Sequence, residues 1–310
     1  MMERQVNQIA LSVSNLAGSM AWYGALGLEA TGASGPRSGT ESAKMLRLPE
    51  VEGSMEWLVG RNPMTQLELF HFIKPPPRPL PATRTARDKG YGSISIFAVA
   101  FEQQIDRLKT SGGSFEITGG PGARSLWVKD PDYIPVELME RDVLGSEPVQ
   151  ADGARLSGIR AVSLTVSNLR QAENFWTSAL GFSAVSADLY GFNPLPSWLS
   201  DGAQWHERVL KGGSILIRLL APTSGDVIDR PRDYRLSDIG VLNIATIADS
   251  AGAHQQFMEV LQVSGFEFSA AAPRRSGPDS GVLYGYDPQG NSLETGYLRP
   301  GTEGKWGWRR

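Results

Sequence analysis

Alternating apolar and polar residues mark the first strand of the chain, at residues 7–13. Positions 9, 11 and 13 are apolar and fall on one face, while Gln8, Ala10 and Ser12 fall on the other. This period of two is typical of a half-buried strand. Asn15 is a candidate N-cap for the helix that follows, which carries an aromatic-rich stripe and ends at Gly27. Runs at 43–48, 55–59 and 66–72 predict three further strands and complete a β-α-β-β-β module.

The same order of elements is predicted three more times. The second module has a strand at 93–99, a helix at 101–111, and strands near 114–118, 124–129 and 134–139. The third spans 159–221 and includes a polar, proline-containing excursion at 188–205. The fourth spans 241–298, with its helix near 250–264. Four βαβββ modules predict an α+β fold with curled mixed sheets.

The two halves of the chain repeat one another. Residues 8–16 return at 161–169 with the shared sequence Val-Ser-Asn-Leu, and an aromatic pair and Leu-Gly follow in each copy. Each half closes on an Asp-Pro turn with a glutamate seven residues after the aspartate, which gives Glu137 and Glu294. A repeat of about 155 residues predicts two tandem domains, at 1–142 and 157–300, joined by a linker at 143–156. The proline-rich segment 75–81 predicts a stiff connection between the first two modules.

Composition narrows the function classes. Apolar residues make up 41% of the chain and charged residues 20%, which is typical of a globular protein with a real core. A net charge of −3 with scattered basic residues argues against a nucleic-acid partner. The absence of cysteine excludes disulfides, thiolate metal sites and cysteine nucleophiles. Neither a signal peptide nor an apolar run long enough to span a membrane is present, so we expect a cytoplasmic protein.

The modules resemble the vicinal oxygen chelate superfamily, which includes glyoxalase I, bleomycin and fosfomycin resistance proteins and extradiol dioxygenases. Val-Ser-Asn-Leu before an aromatic-rich helix carries the resemblance, as does the run from Asp287-Pro288 to Glu294. It implies two tandem glyoxalase-like domains, a small-molecule substrate, and a divalent metal held at the first and last strands of paired modules. A homodimer is compatible with it.

The resemblance also implies positions for the metal ligands. These are Gln8 and Glu68 in the first module, Ser93 and Glu137 in the second, Ala161 and Arg218 in the third, and Asn243 and Glu294 in the fourth. No histidine occupies any of them. Oxygen donors suit Mg or Mn better than Zn or Fe, and a metal-free site stays open.

How the modules pair decides which residues share a pocket, and the sequence leaves this open. Pairing within halves predicts a metal site at Gln8, Glu68 and Glu137, with Arg218 pairing with Glu294 in a second, metal-free pocket. Pairing across halves would instead bring Gln8 and Glu68 to Asn243 and Glu294, as four oxygen donors.

Candidate chemistry follows from these residues. Glu137, Glu294 and Tyr284 are candidate acid–base groups, and Arg218 is a candidate oxyanion donor. Tyr284 stands ten residues before Glu294, where extradiol dioxygenases keep an acid–base tyrosine, but the histidines of that family are missing. Of the three histidines, His71 is expected to face away from Glu68, His254 to be solvated, and His206 to be the one able to reach a pocket.

These features predict a lyase or isomerase that acts on a small oxygenated organic molecule, aromatic or aliphatic, through an enolate or alkoxide. The alternative is a binding protein of the bleomycin-resistance type that sequesters a ligand without turnover. Ring cleavage by an extradiol-type dioxygenase is the minority interpretation.

Overall fold

The computed structural model describes residues 5–62, 64–145, 156–275 and 280–308. Each of the four predicted modules forms a group of strands with its own long helix. The first module contains β1 (Gln8–Ser12), α1 (Leu16–Ala25), β2 (Glu29–Ser38), α2 (Thr40–Leu46), β3 (Glu52–Val59) and β4 (Gln66–Lys74). The second contains β5 (Gly90–Phe97), α3 (Phe101–Ser111), β6 (Glu116–Thr118), β7 (Ser125–Lys129) and β8 (Pro135–Met139).

The second half repeats this plan. The third module contains β9 (Gly158–Thr165), α4 (Leu169–Ser178), β10 (Ser183–Val185), α5 (Ala187–Tyr190), α6 (Ser197–Ser200), β11 (Trp205–Gly212) and β12 (Ile215–Pro222). The fourth contains β13 (Gly240–Ala248), α7 (Ala251–Val263), β14 (Glu267–Phe268), β15 (Arg274–Arg275), β16 (Ser280–Tyr286) and β17 (Ser292–Leu298), and a short 3₁₀ helix (Glu303–Trp306) follows it.

The modules pair across the two halves. β1 pairs antiparallel with β13, so the first and fourth modules share a nine-stranded mixed sheet in the order β14-β16-β17-β13-β1-β4-β3-β2, with β15 on β16. β5 pairs antiparallel with β9, so the second and third modules share an eight-stranded sheet in the order β10-β11-β12-β9-β5-β8-β7-β6. This is the arrangement in which Gln8 and Glu68 meet Asn243 and Glu294. The α+β prediction is confirmed.

One predicted strand is a helix. Residues 43–48 were expected to be extended, but α2 covers Thr40–Leu46, and the strand next to β3 is β2. Ser42, Ala43, Met45 and Leu46 are the buried residues of α2, and short apolar runs fit a buried helix as well as a strand. The glycines of β2 concealed that strand, because glycine is depleted in strands.

Repeated local signals set the same elements in both halves. Asn15 and Asn168 both cap helices, accepting from the backbone N–H of Gly18 and Gln171 respectively. The Oδ1 atoms of Asp130 and Asp287 each accept backbone N–H groups two and four residues further on. These bonds close the Asp-Pro turns and fix where β8 and β17 begin.

The main apolar core includes residues of both sheets and both halves of the chain. Ile9 and Leu11 in β1, Ile94 in β5 and Val162 in β9 are each fully buried within it. Residues 146–155 of the predicted linker lie outside the described residues. Within the described ranges, no helix is both long and apolar enough to cross a membrane.

Candidate functional site

Four polar side chains meet on the inner face of the nine-stranded sheet, which we call the first cup: Gln8, Glu68, Asn243 and Glu294. The register explains their convergence, because Ala10 of β1 pairs with Glu68 of β4 on one side and with Asn243 of β13 on the other. Glu294 of β17 pairs with Ala245 of β13. All four side chains are buried, at 5% exposure or less.

Hydrogen bonds join these four residues in two pairs. Gln8 Nε2 donates to Glu68 Oε2 at 2.6 Å, and Asn243 Nδ2 lies 3.5 Å from Glu294 Oε2. Tyr284 stands opposite Glu294 in the β16–β17 ladder, and its hydroxyl donates to the Glu294 carboxylate. Asn243 Oδ1 is buried and has no partner among the described residues, so the first cup holds an open acceptor.

Arg37 supplies the positive charge of the first cup. This residue of β2 is 9% exposed and lines the same cavity as Gln8 and Glu294. Although burial lowers the pKa of Arg37, the charges of Tyr284 and the two glutamates raise it above its usual value. Sequence reasoning missed Arg37 because β2 reads as a glycine-rich loop; a lone arginine within it gave no further signal.

Both glutamates of the first cup have raised pKa values. Burial and the charge on Glu294 raise the pKa of Glu68 to about 8, against the opposing charge of Arg37. Burial also raises the pKa of Glu294, but the hydrogen bond from Tyr284 and the charge of Arg37 oppose that rise. Since the two carboxylates also repel one another as anions, the pair favours a state with one proton, which the two carboxyl groups share.

Tryptophans close the first cup. Trp57, Trp306 and Trp308 line a cavity of about 40 Å³ beside Gln8 and Glu294. The segment after β17 lies over the opening, with Trp308 Nε1 donating to Asn7 O at 3.1 Å. The side-chain amide of Gln66 also contacts Trp306 O at 3.0 Å. A volume of this size holds a few water molecules.

Glu137 and Arg218 lie elsewhere, on the inner face of the eight-stranded sheet, which we call the second cup. Glu137 therefore does not share a site with Gln8 and Glu68, and Arg218 does not pair with Glu294. Ser95 Oγ and Ser125 Oγ donate to the two oxygens of Glu137 at 2.6 and 2.5 Å. Burial raises the pKa of Glu137, although Arg218 and the serines act against it.

Arg218 pairs with a residue that the sequence did not single out. Its Nε and Nη2 atoms donate to Glu207 Oε2 at 3.0 and 2.9 Å. The guanidinium also stacks on Phe192, 4.8 Å from the ring centroid. Arg218 and Glu207 neutralise one another as an ion pair in the second cup. Arg218 Nη1 and Glu207 Oε1 have no hydrogen-bond partner among the described residues.

The three histidines lie outside the first cup. His71 contacts Val13 O at 3.1 Å on the face of β4 opposite Glu68, as expected. His206 is exposed while its neighbour Glu207 points inward, so the histidine best placed to reach a pocket does not reach one. His254 was expected to be solvated but is 1% exposed, with Nε2 3.0 Å from Thr295 Oγ1, because α7 packs on β17.

The donor atoms of the first cup meet only some of the requirements of a divalent metal. Two carboxylates and two amide oxygens are hard donors of the kind that Mg or Mn prefers. However, the Gln8 amide is hydrogen-bonded to Glu68, and the buried guanidinium of Arg37 already offsets the charge of one carboxylate. A dication would face a buried guanidinium, so the residues do not fit a metal in this arrangement. No cluster of three or more His, Cys, Asp or Glu suited to a metal occurs in the described residues.

Comparison with known proteins supports the fold. The glyoxalase I structure from Zea mays is similar, with 14% identity, a TM-score of 0.59, and coverage of 96% of this chain and 92% of that chain. A mutant of the same enzyme gives 14% identity, a TM-score of 0.61, and 95% and 94% coverage. A provisionally assigned dioxygenase from Bacillus subtilis subsp. subtilis str. 168 has 13% identity and a TM-score of 0.62, with coverage of 96% of this chain and 86% of that chain. No curated protein sequence matches the chain.

Identities this low show the fold alone. A family model adds a match at the level of sequence. The model of the Glyoxalase/Bleomycin resistance protein/Dioxygenase superfamily matches residues 5–138, which hold the first two modules. The resemblance predicted from the sequence is thereby confirmed. The chain has the fold of glyoxalase I along nearly all of its length, and over residues 5–138 it matches the model of the Glyoxalase/Bleomycin resistance protein/Dioxygenase superfamily.

Proposed function

We propose that the chain is an enzyme whose first cup performs acid–base chemistry on a small oxygenated organic molecule, as a lyase or isomerase. The observation that carries this proposal is the electrostatic interaction of two buried glutamates, Glu68 and Glu294, with each other and with Arg37, next to a cavity that Glu294 and Arg37 line. Two carboxyl groups whose environments hold one protonated and the other ionised can serve as general acid and general base at the same pH.

Each charged residue of the first cup has its own catalytic role in this proposal. The carbonyl oxygen of the substrate accepts hydrogen bonds from Arg37, and the Glu294 carboxylate removes a proton from the neighbouring carbon. The electron pair of the broken C–H bond moves to the oxygen, and the resulting enolate is stabilised by the guanidinium. Glu68 then donates its proton, to carbon in an isomerase or to a departing oxygen in a lyase.

Tyr284 and Gln8 are positioning residues in this scheme. The Tyr284 hydroxyl orients the Glu294 carboxylate, and the Gln8 amide holds the Glu68 carboxyl. No step passes through a metal, because the charges of the first cup balance without one.

The test is proton exchange at carbon. The purified protein is incubated in D₂O with a panel of α-hydroxy ketones and 1,2-dicarbonyl compounds, and deuterium incorporation next to the carbonyl is followed by NMR. We expect exchange that a chelator does not inhibit and that Glu294→Gln and Glu68→Gln each slow by roughly 10²-fold or more. Exchange that disappears with the chelator and returns with Mg or Mn would overturn the metal-free scheme.

Glu137→Gln is the matched control. It removes an equally buried glutamate at the corresponding position of the other sheet, and its carboxyl group already has serine partners. Exchange should survive this change. If Glu137→Gln abolishes exchange and Glu294→Gln does not, the chemistry belongs to the second cup and the assignment of the first cup is wrong.

A sequestering protein is the second candidate, favoured by one feature of the first cup. Trp57, Trp306 and Trp308 form an indole-lined enclosure suited to an aromatic ligand. The two candidates separate by stoichiometry: a sequestering protein takes up one equivalent of ligand and returns it unchanged, and Glu294→Gln leaves the affinity nearly intact.

A further inference from the structure

A second cavity, of about 250 Å³, lies between two connecting segments of the chain. One segment joins β4 to β5, and the other joins β12 to β13. Both contain the pattern Pro-x-x-Arg/Tyr-x-x-x-Asp-x-Gly, at residues 81–90 and 231–240. An isolated bridge between Asp88 and Ile228 ties the segments together. No residue lines both this cavity and that of the first cup.

An arginine from each segment lies against the glycine that ends the repeated pattern of the other segment. A Cβ on Gly240 would lie 3.5 Å from Arg84 Nη1, and a Cβ on Gly90 would lie 2.0 Å from Arg230 Nη2. Both glycines have positive φ, at +142° and +109°, where side chains are disfavoured. The glycines therefore make room for two guanidinium groups that converge on one cavity.

These two guanidinium groups have neutral partners. Arg84 Nη2 donates to Tyr91 O, while Arg230 donates to Gly290 O at 2.5 Å and to Asn291 Oδ1 at 3.0 Å. Within the described ranges, no carboxylate oxygen lies within 4.0 Å of a nitrogen of either arginine. Arg78, in the same lining, instead contacts Asp238 at 2.6 Å.

The electrostatics of this pair favour an added negative charge. Burial lowers the pKa of Arg84, and the nearby charge of Arg230 lowers it further, although Asp88 acts in the opposite direction. Two like charges in a half-buried cavity repel one another, and an anion between them would relieve that repulsion.

The other lining residues are of two kinds, the charged Arg78, Asp88, Lys89 and Asp238 and an apolar group that suits the body of a ligand. Leu80, Pro81, Ile228, Tyr234, Ile239 and Val241 supply apolar and aromatic surface. We propose that this cavity binds a small organic anion, with a carboxylate or phosphate group held by Arg84 and Arg230 and an apolar body against these walls. The planar guanidinium fork matches either group by paired hydrogen bonds.

Calorimetric titration of the full chain tests the proposal, with benzoate and phenyl phosphate as charged probes and benzyl alcohol as the neutral one. We expect either anion to bind in the millimolar range or better and the alcohol not to bind. Arg84→Gln and Arg230→Gln should each weaken anion binding by roughly ten-fold or more, since each removes a charge-assisted contact. If Arg230→Gln does not fold, Arg230→Lys takes its place. This variant keeps the positive charge but lacks the paired donors of the guanidinium.

Two controls separate this site from its alternatives. Arg232→Gln removes the same charge from an exposed position on the same segment, outside the cavity lining, and should leave the affinity unchanged. Glu68→Gln should also leave it unchanged, because the site does not depend on the chemistry of the first cup. Absence of binding by both anions, or an equal loss in Arg232→Gln, would overturn the proposal.

Discussion

Tyr284 and Glu294 face each other across the β16–β17 ladder, and the phenol hydroxyl donates to the carboxylate. This bond stabilises the ionised form of Glu294 against its burial. Glu68, which interacts with Glu294 from β4 in the other half of the chain, has hydrogen bonds from Gln8 and Trp57 instead, and its pKa is raised to about 8. The phenol hydroxyl is therefore the contact that distinguishes the surroundings of Glu294 from those of Glu68.

Tyr284→Phe should therefore disturb the chemistry without disturbing the fold. We expect deuterium exchange to fall by roughly ten-fold to a hundred-fold, because Glu294 loses the hydrogen bond that orients it and lowers its pKa. Tyr286→Phe is the control, since Tyr286 lies on the same strand but contacts Arg47. A Tyr284→Phe protein with unchanged exchange and an unchanged pH profile would show that the hydroxyl plays no part.

Arg37 offers a sharper test of the oxyanion assignment. Arg37→Gln should reduce exchange by roughly 10²-fold to 10³-fold, in the range found when an oxyanion donor is removed. Arg37→Lys should recover part of the loss, because it restores the charge but not the geometry. The expected signature is a fall in kcat larger than any rise in KM; a change confined to KM would indicate that Arg37 only binds the ground state.

The sequence predicted which residues stand at the ligand positions, but it did not predict which of them meet in one site. Gln8, Glu68, Asn243 and Glu294 are identified by their places on first and last strands, and the register puts each of them there. Their grouping could not be read from the sequence, since it depends on whether β1 pairs with β5 or with β13, and the repeated halves make the two choices chemically similar. Glu137 was grouped with the wrong partners for this reason.

Arg37 and Glu207 were missed for a different reason. Each is an ordinary charged residue whose importance lies in what it faces after folding, and neither belongs to a repeated motif. Alternation would have placed Glu207 inward once β11 was fixed, but the proline-containing excursion before it concealed where that strand starts. The helix α2 was missed because a short apolar run does not distinguish helix from strand.

The stability of the protein should depend on pH through Glu68. In the unfolded chain this carboxyl titrates near its ordinary value of 4.5, whereas in the folded protein its pKa is about 8. Between these values the folded state binds more protons than the unfolded state, so stability falls as pH rises. Glu68→Gln removes this dependence, and its Tm should fall less than that of the parent between pH 5 and pH 8.

A difference measurement is needed because Asp130 contributes in the same direction. Burial raises the pKa of Asp130 to about 7, and this carboxyl is still present in the Glu68→Gln protein. The Tm difference between the parent and Glu68→Gln removes the contribution of Asp130 and reports Glu68 together with its coupling to Glu294. Parallel Tm curves for the two proteins across this range would contradict the raised pKa of Glu68.

The Asp-Pro turns make a prediction about folding. Asp287 Oδ1 accepts from the backbone N–H groups of Gln289 and Asn291 at 2.9 and 2.8 Å, and Asn291 Nδ2 adds a third donor. Asp287→Ala leaves buried donors unsatisfied and should lower the free energy of unfolding by about 2–4 kcal/mol. Asp229→Ala, which removes an exposed partner of Lys89, should change it by less than about 1 kcal/mol. Urea denaturation measures both.

The segment after β17 should control entry to the first cup. Trp308 holds this segment through its hydrogen bond to Asn7 O, and its indole walls the cavity. Trp308→Ala removes both contacts, so we expect faster access of a small fluorescence quencher to Trp57, and a change in KM with exchange at saturation largely preserved. Trp198→Ala is the control, because Trp198 packs on Lys129, away from this opening. If quenching and KM stay at their parent values in Trp308→Ala, substrate reaches Glu294 by another path.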